Sequence, residues 1–291
     1  MFDTTDPYTL QTPLQPGQHG ESMKPTLNII GAGKVGQVLA RQFQQHHIFT
    51  IQDVLNLSYA SSAAACAFIG AGTALTSMSA MRPADIYMIS VADDQINACS
   101  EQLKQHHLLQ PASIVFHCSG ALDSRELGLH HGAASLHPMR SFADPERVAS
   151  EFAHTICTLE GDALATRVLN HALHQIEAEV IPITAENKTL YHAAGVFTSN
   201  YLVTLMDAAL QTFEQAGISA ELARKMAQPM AQETLNNIFR IGAQRALTGP
   251  IARGDHNTVE RHRQALQQWD SGMTDLYNQL AQATETMKRR G

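Results

Sequence analysis

The sequence predicts an α/β chain: a doubly wound, mainly parallel sheet followed by an all-α segment. Three observations predict it. The run Leu27-Asn28-Ile29-Ile30 leads into Gly31-Ala32-Gly33-Lys34-Val35-Gly36, and an amphipathic helix follows at once. From Thr26 to Ile183, β-branched runs alternate with helical stretches, the pattern of strand–helix–strand units around a parallel sheet. From Glu186 to the end no strand pattern appears.

The elements follow in order. Thr26-Ile30 reads as the first strand and Lys34-Gln45 as the first helix. The second strand lies within Ile48-Leu57, and Ser61-Ile69 is a short helix. Ile86-Val91 is an apolar strand after Pro83, and Asp94-Lys104 is a helix with Asp93 or Asp94 as its cap. Ser113-His117 and Ala133-Leu136 are further strands. His154-Leu159, Ala163-Ile176 and Glu179-Ile183 form one more strand–helix–strand unit. Glu186-Gln215 reads as a single long helix stopped at Gly217. Ser219 and Glu221 open a helix that reaches Ile241 despite Pro229. After a loop over Ala246-Asp255, Thr258-Gln268 and Ser271-Lys288 are the last two helices. The expected organisation is a flexible polar extension over 1–23, a nucleotide-binding domain over 24–184 and a helical domain over 185–291.

Composition narrows the function classes. The chain has 291 residues, 44% hydrophobic and 16% charged, which suits a globular protein with a sizeable core. Its net charge of -7 offers no basic footprint for nucleic acid. Four scattered cysteines without paired spacing fit a reducing compartment, and no apolar run is long enough for a membrane span. The expected location is cytoplasmic. The fifteen histidines show no metal-ligand motif, so no metal site is expected.

The glycine run gives the strongest chemical signal. Its first glycine makes the turn after the strand, its second lets backbone approach a pyrophosphate, and its third lets helix and strand pack closely. Gly31, Ala32, Gly33, Lys34, Val35 and Gly36 are therefore the expected cofactor cradle. Twenty positions past Gly36 stands Asn56, with Ser58 close by and no carboxylate to hold the ribose hydroxyls of NAD. Asn56 and Ser58 suit a 2′-phosphate, so NADP is the expected cofactor and NAD the alternative. Both residues also read as ordinary loop positions. Val91, Ala92 and Ser119 follow strands, at carboxyl ends where open α/β sheets bind ligands.

A second group points to chemistry. Lys188 and His192 are four apart and lie about 40° apart on one helix face. With Gly195 and Ser199 they form a stripe unlike a core stripe. Lys188 suits proton donation to a carbonyl oxygen and His192 suits sharing that proton; a solvated lysine and a packing histidine are the plainer alternatives. His137, Arg140, Ser199, Arg253 and His256 are the expected substrate contacts, the cations attracting an anion.

With the glycine run, His117-Cys118-Ser119-Gly120-Ala121, Ser135-Leu136-His137-Pro138, Lys188 with Tyr191-His192-Ala193-Ala194, and Gly249-Pro250-Ile251-Ala252-Arg253-Gly254-Asp255, the chain resembles a bacterial family. Its members join a Rossmann-like domain to a C-terminal helical domain of unknown function and are usually labelled NADP-dependent oxidoreductases. The layout is similar to pyrroline-5-carboxylate reductase, ketopantoate reductase and the β-hydroxyacid dehydrogenases. The resemblance covers about residues 24 to 290. It implies a helical domain of the 6-phosphogluconate dehydrogenase C-terminal type and a homodimer formed through that domain. Lys188 matches the catalytic lysine of the β-hydroxyacid dehydrogenases, but His192 stands where they carry asparagine. The expected function is an NAD(P)-dependent oxidoreductase acting on a small carboxylate-bearing keto, hydroxy or imino compound. A dinucleotide-binding sensor or scaffold without turnover is the alternative.

Overall fold

A computed structural model describes residues 24–290, so the extension expected over residues 1–23 lies outside the described residues. The chain divides into two compact units, one ending at Ala194 and one beginning at Gly195.

The first unit is built on eight strands: β1 (Thr26–Ile30), β2 (Thr50–Leu55), β3 (Thr73–Leu75), β4 (Ile86–Ile89), β5 (Ile114–His117), β6 (Ala133–Pro138), β7 (Ile156–Gly161) and β8 (Glu179–Pro182). They lie in the order β3-β2-β1-β4-β5-β6-β7-β8, all parallel to their neighbours except the antiparallel pair β6–β7. The helices of this unit are α1 (Lys34–Gln45), α2 (Tyr59–Ile69), α3 (Ile96–Gln105), α4 (Pro145–Ser150), α5 (Ala163–Gln175) and the start of α6 (Lys188–Thr198).

Two apolar clusters show the sheet buried on both faces. Leu27, Ile29, Ile86, Met88, Ile114 and Phe116 enter the cluster that contains Leu39 and Phe43 of α1. Their neighbours Ile30, Tyr87, Ile89 and Val115 enter the other, with Ile96 and Leu103 of α3. Side chains alternate across a strand, so near-continuous apolar runs such as Ile86–Ile89 have to be covered on both sides. The same alternation puts His117 on the Val115 face of β5, and Ser135 and His137 on the Ala133 face of β6.

Three helix ends share one device. Ile48 N–H reaches Phe43 O, Leu108 N–H reaches Leu103 O and Ala178 N–H reaches Leu173 O, at 2.8, 3.0 and 3.0 Å. Each closure passes through a left-handed residue that is not glycine: His47, His107 and Glu177. Each turn delivers the chain into the next strand.

The structure corrects several expectations. Asp93 and Asp94 sit in a 3-10 turn and cap nothing, because α3 starts only at Ile96. The short elements β3 and α4 escaped the pattern; α4 is started by Asp144, whose carboxylate accepts from Arg147 N–H. The single helix expected over Glu186-Gln215 is a 3-10 turn (Ala185–Asn187) followed by α6 and α7 (Asn200–Gln215). The break falls at Ser199, with φ of -115°. Thr198, Ser199 and Asn200 all have side chains that compete with the helical backbone.

The second unit continues from the end of α6 and is all-helical: α7, α8 (Ala220–Ile241), α9 (Ala243–Ala246), α10 (Pro250–Arg253), α11 (His256–Trp269) and α12 (Ser271–Arg289). Ser219, Asp255 and Asp270 cap α8, α11 and α12 through their side chains. Among the described residues of this unit only Ala223, Ala227, Val259, Thr274 and Ala281 are buried. No helix of the described residues is long and apolar enough to cross a membrane.

Candidate active site

The glycine run ends β1 and opens α1, and its three glycines answer to different constraints. Gly31 has φ of +80°, and a Cβ there would lie 2.4 Å from Val91 Cγ1. At Gly36 a Cβ would meet Gly31 O and Ser90 Cβ, both at 2.9 Å. These two glycines satisfy the protein's own packing. Gly33 is exposed, has φ of -72° and has no protein atom within 4 Å of a built Cβ. It is also the N-cap of α1 and offers no side chain to the helix's first N–H groups. An open, uncapped helix start of this kind fits a diphosphate, which would take hydrogen bonds from those amides.

Of the other expected cofactor residues, Asn56 and Val91 touch the glycine run. Asn56 Oδ1 accepts from Ala32 N–H at 2.7 Å and so pins the glycine loop to the end of β2. The Ser58 hydroxyl caps α2 and donates to Ser61 Oγ at 3.0 Å. Lys34 Nζ, exposed, donates to Ala143 O at 3.0 Å. Val91 abuts Gly31 and Ala92 is exposed beyond β4. Asp53 is buried in β2 and bonded to Arg82, so it serves the fold and not a ribose.

A polar cluster sits beyond the carboxyl ends of β5 and β6. Register aligns His117 of β5 with Ser135 of β6, and Ser135 with Glu160 of β7. His137 and Thr158 form the next pair along. Side chains opposite one another share a face, so these residues form a polar patch on the Val115 side of the sheet. The first turns of α6 bring Lys188, Tyr191 and His192 to it. Lys188 is wholly buried; its Nζ donates to Ser135 Oγ at 2.6 Å and to Ser119 O at 3.2 Å. His137 Nδ1 is 2.8 Å from Tyr191 Oη, and the His137 and His192 rings meet edge-on at 6.0 Å between centroids.

Electrostatics within the cluster are set by burial. Desolvation pushes the Lys188 ammonium below its ordinary pKa, against the raising effect of Glu160, Asp123 and Asp93. His117 and His137 are each pushed down to about 4, first by burial and then, in part, by the Lys188 charge. His117 therefore stays neutral: its Nδ1 accepts from Ser119 N–H at 3.2 Å, and its Nε2 donates to Asp123 O at 3.0 Å. Ser119 Oγ is engaged by the N–H groups of Ala121 and Leu122.

The lowered histidines have a consequence for stability. Between about pH 4 and 6.5 the unfolded chain binds more protons than the folded one. Stability is therefore complete above 6.5 and is lost as pH falls toward 4, by up to about 3 kcal/mol for each ring. Urea unfolding at about pH 7.5 and about pH 4.5 should show this loss, and His137→Phe should shrink it. An unchanged pH difference in that variant would mean that His137 is not desolvated.

Not all expected substrate contacts gather here. Arg140 is turned to Glu151, donating to its backbone carbonyl and its carboxylate, and to Thr155 Oγ1. That ion pair holds the guanidinium against α4's end and removes the free charge expected of it. Ser199, Arg253 and His256 all lie in the second unit and are exposed. His256 lines a cavity of about 300 Å³ there with Lys288 and Arg289. Among the described residues no group of three or more His, Cys, Asp or Glu is placed to hold a metal. Glu160 was missed by sequence reasoning, and His117, Ser135 and Tyr191 stood there only as members of motifs. Period-two alternation already pairs His117 with Val115, which was a usable signal. Glu160 joins only through the antiparallel register of β7.

Comparison with known proteins agrees with this architecture. Residues 14–128 match a Rossmann-like domain, and residues 155–284 match a domain of unknown function, DUF2520. A protein of Thermotoga maritima is 24% identical, with a TM-score of 0.69 over 91% of this chain and 98% of its own. A Bacteroides fragilis protein named as a candidate NADP oxidoreductase is 20% identical, with a TM-score of 0.76 over 90% and 98%. An imine reductase from a Pseudomonas species is 19% identical, with a TM-score of 0.61 over 90% and 94%. Likeness at this level of identity speaks for the fold. No curated protein is significantly similar in sequence.

Proposed function

From a chain that joins a Rossmann-like domain to a DUF2520 domain, we propose an NAD(P)-dependent oxidoreductase acting on a small carboxylate-bearing keto, hydroxy or imino compound. The observation that carries this reading is the open N-terminus of α1 at Gly33, together with the polar cluster beyond β5 and β6 in the same unit. Both lie at carboxyl ends of parallel strands of one sheet, β1 and then β5 and β6, where a dinucleotide's phosphates and its reactive ring would separately fall. The NADP oxidoreductase and the imine reductase among the structural neighbours support the same class.

Gly33, Lys34 and Val35 would hold the diphosphate through backbone N–H groups. Val91, Ala92 and Ser119 would flank the nicotinamide, which when bound supplies or accepts the hydride. Lys188, His192 and His137 are the groups available to order and protonate the reacting oxygen or nitrogen. NADP is the preferred form in this reading. The turn after β2 carries no carboxylate, and α2 opens with the hydroxyls of Ser58 and Ser61 and no acid in its first turn.

A second copy of the chain completes this reading. The helical unit leaves a groove of about 570 Å³ whose lining includes Phe197, Tyr201, Leu235, Phe239 and Leu280. Phe239 is 82% exposed, in a unit that buries almost nothing of its own. A large apolar face on a domain without a core suits an obligate interface. Light scattering should give the mass of a dimer.

The deciding experiment is a titration of the full chain with NADPH and with NADH, followed by absorbance assays over 2-keto and imino acids. Ligand at 100 times its Kd should add about 2.7 kcal/mol of stability. NADPH is expected to bind more tightly than NADH, and at least one acceptor should consume it. Binding without turnover across the panel would instead mark a sensor or scaffold, and no binding of either nucleotide would remove the reading altogether.

A further inference from the structure

The loop that joins β6 to α4 begins at the polar cluster and ends beside α1. At its start the Met139 sulfur accepts from Tyr191 Oη at 3.8 Å, the same hydroxyl that meets His137. At its end α4 is docked on α1: Glu146 pairs with Arg41 at 2.7 Å, and Gln42 Nε2 donates to Ala149 O at 2.8 Å. Between these anchors the chain is lightly held. Arg140 is bonded to Glu151 and Thr155, Phe142 packs half-buried against the apolar cluster around Phe43, and Ser141 and Ala143 are exposed. One further tie comes from the glycine run. Lys34, the first residue of α1, reaches over to Ala143 O, 3.0 Å from its ammonium.

This lysine directly follows Gly33, the uncapped helix start with open space in front of it. An ammonium has three protons to donate. Among the described residues Ala143 O is the hydrogen-bond partner of Lys34 Nζ, so two protons remain for an anion at the helix start without the loop letting go.

Resting on the dinucleotide reading above, we propose that Lys34 is a clasp: a diphosphate bound at Gly33 takes up its ammonium while Ala143 O keeps its hold, and the loop over residues 139–144 closes on the cofactor. Both partners of the new contact are ionised, which makes it stronger than the bond to the neutral carbonyl. The ligand thus gains a contact in the closed arrangement that it lacks in the open one, and its binding shifts the loop toward closure. Because the loop starts at the Met139–Tyr191 contact, filling the cradle also steadies the edge of the polar cluster.

Limited proteolysis of the full chain reads the clasp, because cutting inside a folded segment waits on its local opening. Trypsin has a site after Arg140 and chymotrypsin one after Phe142. Without nucleotide, Lys34→Met should be cut at both bonds about threefold faster than the parent, since Ala143 loses its tie. Lys34 is exposed, so the variant should fold, and thermal melting checks that it does. NADPH at a saturating level should slow both cuts about tenfold in the parent and far less in Lys34→Met at its own saturation. NADPH affinity should fall about fivefold in the variant and depend less on salt. Equal slowing of the cuts in two proteins that both bind NADPH would overturn the clasp, and so would equal cutting of the two without nucleotide. No uptake of NADPH by the parent, read by calorimetry before any protease is added, is a separate failure. It would remove the dinucleotide reading and the clasp's ligand together, while the nucleotide-free contrast between the two proteins would still stand.

Discussion

Gly33→Ala is expected to weaken NADPH binding by tenfold or more, about 1.4 kcal/mol, while leaving the unliganded protein within about 1 kcal/mol of its parent stability. The backbone at Gly33 has φ of -72° and ψ of -166°, open to any residue, and no protein atom approaches a built Cβ. Alanine loses a little as an N-cap and gains a little by restricting the unfolded chain, and these nearly cancel. The added methyl group matters only to something outside the protein that must come close to the backbone. Gly31→Ala is the control. There a positive φ and the 2.4 Å approach to Val91 Cγ1 should cost about 3 kcal/mol of stability before any ligand is added. Calorimetry and thermal melting of the two variants separate the roles. Undiminished NADPH affinity in Gly33→Ala would mean that the diphosphate rests elsewhere.

The second large effect concerns Asp53 and Arg82. Asp53 is 1% exposed and accepts from Arg82 N–H at 2.8 Å, Nε at 3.2 Å and Nη2 at 2.5 Å. The Arg82 side chain is 57% exposed. Removing one partner has unequal consequences. In Asp53→Asn, the guanidinium can turn to water. In Arg82→Met, a carboxylate remains buried with a single backbone N–H, at a cost of about 3 kcal/mol or more. Arg82→Met should therefore destabilise more than Asp53→Asn, and the double variant should recover much of the loss. Chemical unfolding of the three proteins reads this as a thermodynamic cycle. Equal losses in both single variants would show that the carboxylate is not shielded from water.

The fold was legible where the pattern was regular. β1 and α1 have the bounds read from the sequence, because a β-branched run, three glycines and an amphipathic repeat each speak locally. The parallel pairing of β1, β4 and β5 follows from strand–helix alternation, while their order does not. The three-residue β3 and six-residue α4 carry too few residues to show a period. The break at Ser199 was hidden because apolar spacing continues on both sides of it.

The site was half legible. Lys188 and His192 were singled out by helical spacing, and His137 by its place after a strand. Their relation was not. A lysine at the first turn of a helix reads as solvated or as a free proton donor; here it is buried beneath the Ser119 carbonyl. Arg140 reads as a free cation, yet Glu151 claims it from a loop eleven residues on. Asn56 reads as a 2′-phosphate contact, and nothing local announces that its oxygen also holds the backbone of Ala32.

By itself the sequence determined the mainly parallel sheet, the glycine turn between β1 and α1 and the change to helices near residue 185, since propensity, periodicity and turn chemistry act over a few neighbouring residues. Tertiary structure alone decided which polar groups face one another. Partners such as Lys188 and Ser119, or Ser135 and Glu160, lie 69 and 25 positions apart in the chain. Burial then chose which charges stay accessible, and no local pattern records how much water a folded chain leaves around a side chain.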